Sequence, residues 1–127
     1  MADLHFYDEN EEMPTLQPRA EVRFTTAAVT PYGDGRRVKL HVKLTPFLER
    51  PDIEARVTNQ AGHEVASVSL IEAMDDDLEF TLHLRGPQPT GEHTVHLTAF
   101  YRTTPDPDAQ REVVDERTLT FESPNAA

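Results

Sequence analysis

The sequence predicts an all-β fold, a seven-stranded antiparallel sandwich of two sheets. Three observations carry this. Apolar and polar residues alternate with a period of two through seven segments, the pattern of strands with one face in a core and one in water. All five glycines and all ten prolines lie between those segments or at their ends. There, a missing ladder donor or a missing side chain does no harm. Finally, no segment sustains a 3.6-residue period, which excludes βαβ architectures.

The segments follow in order. Residues 20–30 set Val22 and Phe24 on one face. Residues 37–45 oppose Val38, Leu40, Val42 and Leu44 to Arg37, Lys39, His41 and Lys43. Residues 53–59 oppose Ile53, Ala55 and Val57 to Glu54, Arg56 and Thr58. Residues 63–71 alternate less regularly. Residues 78–85 oppose Leu78, Phe80, Leu82 and Leu84 to Glu79, Thr81, His83 and Arg85. Residues 92–103 turn Val95, Leu97, Ala99 and Tyr101 inward, and residues 112–122 end on Leu119 and Phe121. Leu, Ile, Val and Phe make up 29 of 127 residues. That is little above the level of roughly 20% below which disorder is the expectation. Their regular placement, more than their number, predicts a folded chain. The length fits one domain: an acidic N-terminal extension over 1–18, the sandwich over 19–123, and a short tail over 124–127.

The stretch Gly91-Glu92-His93-Thr94-Val95-His96-Leu97 resembles the strand-F signature of immunoglobulin-like and fibronectin type III-like domains. Those families place a tyrosine where His93 stands, and that tyrosine makes the corner hydrogen bond. The predicted sandwich also has the length of about 100 residues usual for them. The resemblance implies an immunoglobulin-like sandwich, though with no Trp and no Cys the chain departs from antibody-type domains. It implies nothing about function, because such folds host many.

Charge narrows the function classes. With 23 acidic and 12 basic residues the net charge is −11, which argues against nucleic-acid binding and against a polybasic membrane-surface protein. No apolar run is long enough for a membrane span, and the opening Met1-Ala2-Asp3 has no signal-peptide character. The expectation is a cytoplasmic chain. Without cysteine there are no disulfides and no thiolate chemistry. The serines Ser67, Ser69 and Ser123 sit in no nucleophile elbow, and no glycine-rich phosphate loop is present. The chain is expected not to be an enzyme and to need no cofactor.

What remains is binding, and another protein is the expected partner. In the immunoglobulin arrangement the loops after the second, fourth and sixth strands meet at one end. Phe47, Leu48 and Arg50 lie in the first of them, between two prolines. Apolar residues in such a loop either plug the end of the sandwich or anchor a partner. The same loops would gather Glu49, Asp75, Asp76, Asp77, Asp106 and Asp108 on one rim. Carboxylates from several loops suit a hard cation, so Ca²⁺ is the alternative ligand. Leu4, Phe6 and Tyr7 form an apolar cluster in the acidic extension, suited to adding onto a sheet edge.

The histidines and the basic ridge offer less. His93 and His96 are three apart and so on opposite faces. His41 and His83 face outward on strands expected to be neighbours, where an approach would make a two-histidine site. The ridge Arg36, Arg37, Lys39, His41 and Lys43 is expected to be neutralised by Glu79 and its neighbours across the strand pair.

Overall fold

The computed structural model describes residues 15–86, 91–102 and 110–123. It holds β1 (Phe24–Pro31), β2 (Arg37–Leu44), β3 (Asp52–Thr58), β4 (Glu64–Leu70), β5 (Asp77–His83), β6 (Gly91–Arg102) and β7 (Arg111–Ser123). Two sheets form, ordered β1-β2-β5 and β4-β3-β6-β7, and every pairing is antiparallel. The seven-stranded, two-sheet, immunoglobulin-like sandwich is therefore what the chain adopts.

The predicted alternation becomes burial. Val38, Leu40 and Val42 are sealed on β2, Ile53, Ala55 and Val57 on β3, and Val95, Leu97 and Ala99 on β6. Their polar neighbours point out, and Leu82, Leu84 and Phe121 complete the core. Residues this deep are the chief source of the fold's stability. His93 is buried and His96 exposed, as their spacing requires.

Two details differ from the sequence reading. The first strand begins at Phe24, because Pro18 starts a 3₁₀ turn over Arg19–Glu21, with Glu21 N donating to Pro18 O. A register shift between Phe24 and Thr26 follows. Beside β6 a second shift sets an extra residue, Val114, in β7 between the partners of Ala99 and Phe100. Ala99, Phe100 and Tyr101 are all buried, Phe100 opposite Asp52 and under the Arg102 and Arg111 guanidinium groups. The fourth strand pairs with β3 across a tight turn. There the Asn59 side chain accepts from the amides of Ala61 and His63, and a chain reversed so sharply stays in its own sheet.

The side of the sandwich between β1 and β7 is pinned by β7 side chains. The Asp115 carboxylate accepts from Phe24 N at 2.8 Å, and Arg117 Nη2 donates to Phe24 O at 2.9 Å. Together they satisfy both backbone groups of an edge residue, as a neighbouring strand would.

Candidate functional site

The antiparallel order puts the 46–51 and 71–76 loops, the end of β6 and the start of β7 at one end of the sandwich. Hydrogen bonds lock the two loops together. Ala73 N donates to Pro51 O, and Glu72 N donates to Asp52 Oδ1, both at 2.8 Å. Asp52 is buried, and its other oxygen lies 3.2 Å from Arg102 Nε on β6. The same loop pairs with the chain's N-terminal side. Gln17 bridges Phe47 in parallel, its amide donating to Pro46 O and its carbonyl accepting from Leu48 N.

Beside this bridge Arg19 gathers three elements. Its Nε lies 2.7 Å from Glu49 and its Nη1 3.1 Å from Glu112, while the guanidinium stands 4.8 Å from the Tyr101 ring centroid. The Tyr101 hydroxyl donates to Glu49 O at 2.8 Å. Burial, reinforced by the Glu49 charge, pushes the Tyr101 phenol up to about 12. Ultraviolet absorbance titration should therefore show a late tyrosine step, and Tyr101→Phe should remove it. The sign follows from the raised value. This contribution to stability is whole below the ordinary pKa of 10.0 and is lost as pH rises through about 12. A Tyr101→Phe protein with the same alkaline titration as the parent would refute the assignment.

The rim acids are near one another in the chain but are engaged separately. Glu49 is held by Arg19, Asp75 Oδ1 accepts from Asp77 N, and Asp77 lies 2.7 Å from His41 Nε2. Asp76 contributes its backbone carbonyl to Leu44 N. Among the described residues no group of three or more His, Asp or Glu could hold a metal ion. Asp106 and Asp108, like Leu4, Phe6 and Tyr7, lie outside the described residues. His41 and His83 do not meet: His41 sits opposite Glu79, and His83 opposite Arg37, four positions along. Three residues of the basic ridge have acidic partners, while Arg36 donates to Gly86 O. Lys39 reaches Glu79 at 4.0 Å, Arg37 pairs with Asp34, and His41 with Asp77.

The apolar side chains of this end divide. Phe47 is half-buried and packs against the core, so it plugs the sandwich. Leu48 stands 62% exposed beside exposed Arg50, with Ile71 at 60% and Met74 at 80% on the neighbouring loop. Leu16, before the Gln17 bridge, and Val113, opposite Phe100, are the other large apolar residues exposed among the described ones. All five belong to the same end. Sequence reasoning picked out Leu48 but not Ile71, Met74, Asp52 or Arg19. A signal for Tyr101 was available, since an inward tyrosine at a strand end needs an acceptor for its hydroxyl.

No family model matches the sequence, and no curated protein matches it. Solved structures do resemble the fold. A family 2 glycosyl hydrolase from Bacteroides cellulosilyticus matches 80% of this chain at 19% identity, with a TM-score of 0.54. The β-glucuronidase of Bifidobacterium dentium matches 81% at 15% identity, with a TM-score of 0.56. An FMN-binding β-glucuronidase from Facaelibacterium prausnitzii matches 80% at 14% identity, with a TM-score of 0.52. The likeness is one of fold. It spans 15%, 18% and 16% of those chains respectively, a small part of each. No described helix is long and apolar enough to cross a membrane.

Proposed function

We propose that this chain is a non-catalytic interaction module that binds another protein through the loop end of its sandwich. The observation that supports this is the segregation of exposed apolar side chains. Leu16, Leu48, Ile71, Met74 and Val113 all lie at that end, where scattered single residues would need no explanation. They are mounted on a framework already tied by Asp52, Arg19 and the Gln17 bridge, so little order is lost when a partner docks. Resemblance to a small part of much larger hydrolase chains is in keeping with an accessory role.

Leu48→Ser, Ile71→Ser and Met74→Ser, made together, test the reading. Buried anchors of this kind contribute on the order of 1–2 kcal/mol each to binding. The triple variant should keep the parent's circular dichroism and melting temperature. In affinity capture from the native source, it should lose a partner that the parent and a Lys39→Ser control both retain. Equal recovery by all three proteins would overturn the proposal.

A further inference from the structure

Each sheet of the sandwich has two edges, and natural proteins blunt such edges with charge, bulges, proline or cover. Three of the four are blunted here. β7 carries Arg111, Glu112, Asp115, Glu116, Arg117 and Glu122, and β5 carries Asp77, Glu79 and His83. β1 has its register shift, ends on Pro31, and is pinned to β7 through Phe24. β4 is the exception. From Val65 to Leu70 it reads Val-Ala-Ser-Val-Ser-Leu, without charge or proline. Its side away from β3 is tied only at Val65 O, which accepts from Arg85 N and Nε at 2.9 and 3.1 Å. Among the described residues, Ala66 to Leu70 have no backbone partner beyond the β3 ladder.

Between the Arg85 tie and the 71–76 loop, no backbone bond joins the facing edges of β4 and β5 among the described residues. Along these edges Val68 and Leu70 from β4 and Leu78 and Phe80 from β5 pack against the core and are only half-buried. Ile71 and Met74 stand exposed at one end of them, together with Glu72 and Asp75. We infer that β4 accepts an extended segment of another polypeptide as a fifth strand of the four-stranded sheet. That segment is uncharged and alternating where it pairs with Ala66–Leu70, and basic where it passes Glu72 and Asp75. Backbone bonds supply affinity in this mode, and side chains reaching Val68, Leu70, Leu78 and Phe80 supply selectivity. A second copy of the chain fits poorly. Antiparallel pairing of two β4 strands brings the flanking Glu64 of one toward Glu72 of the other, in molecules that each carry a net charge of −11.

The inference rests on the reading of the chain as an interaction module but uses an adjoining surface, the β4 edge, which shares Ile71 and Met74 with the loop end and excludes Leu48. A display library of random dodecapeptides, selected against the full chain, provides the probe. The expected winners alternate apolar residues and end in lysine or arginine. Their affinity, read by fluorescence anisotropy, should fall at least tenfold in a Ser67→Lys, Ser69→Lys protein. Both serines are exposed on β4, and their replacement leaves the core untouched. Glu72→Gln with Asp75→Asn should weaken binding severalfold and flatten its salt dependence. No enrichment, or selected peptides that bind the lysine variant as tightly as the parent, would overturn the inference. So would concentration-dependent dimerisation in ultracentrifugation that the lysine pair abolishes, since a second copy would then occupy the edge. Peptides that bind the lysine variant as tightly as the parent overturn the edge site alone, whereas the loop-end reading stands or falls on loss of the natural partner with Leu48→Ser.

Discussion

Replacing Asp52 with alanine is expected to lower the unfolding free energy by about 3 kcal/mol. Asp52 is among the few polar residues buried in the described chain, and both its oxygens are committed. One accepts from Glu72 N at 2.8 Å and the other faces Arg102 Nε at 3.2 Å. Alanine would leave an amide without its acceptor and an arginine, itself largely covered, without its counter-charge. Removing one member of such a pair costs far more than the pair contributes net, because the remaining groups stay desolvated. Asp52→Asn keeps an acceptor for Glu72 and loses only the charge, so roughly half the penalty is expected. Urea unfolding midpoints measure both, provided the slope is unchanged. The damage should also be local. Amide exchange at Glu72 and Ala73 should quicken more than in β2, because Asp52 is what joins that loop to the sheet. An alanine variant within 1 kcal/mol of the parent would show that the carboxylate is dispensable.

How much of this was legible in the sequence depends on which force set each feature. Strands β2 and β5 could be read almost residue by residue, since Val38, Leu40 and Val42 alternate strictly and burial obeyed the alternation. Periodicity fails where long side chains cover an outward residue. Phe100 keeps its place in the β6 alternation yet is buried, because Arg102 and Arg111 lie over its ring, and nothing in the local composition marks it. The first strand was placed too early because Val22 and Phe24 keep the right spacing although the chain between Pro18 and Val22 turns as a 3₁₀ helix. Binding residues were harder still. The Phe47-Leu48 pair reads as one apolar unit, yet the structure gives one residue to the core and the other to solvent. Arg19, Glu49, Tyr101 and Glu112 meet across 93 positions of chain. Only the finished topology brings them together.

His93 carries the other large expectation. Alanine there should cost about 3 kcal/mol, whereas phenylalanine should fall within about 1 kcal/mol of the parent. The ring is 1% exposed and stacks on Phe121 with centroids 5.1 Å apart and planes 15° from parallel. Alanine removes that stack and opens a cavity between β6 and β7, next to the sealed side chains of the core. The phenylalanine result rests on the two ring nitrogens. Nδ1 lies 2.9 Å from Gly91 O, so it is assigned the proton and donates. Nε2 is then an acceptor, buried and without a partner among the described residues. Phenylalanine sacrifices the first bond, which stabilises by about 1 kcal/mol, and relieves the second group's desolvation, a similar amount. The stack survives. The Nδ1 bond runs to the backbone two residues upstream, as the tyrosine-corner hydroxyl does from further away in related sandwiches. If that bond were the main contribution of His93, phenylalanine would be nearly as damaging as alanine. Calorimetric or urea-derived stabilities of the two variants separate these cases: a wide gap between them assigns His93 to packing, and no gap assigns it to the corner bond.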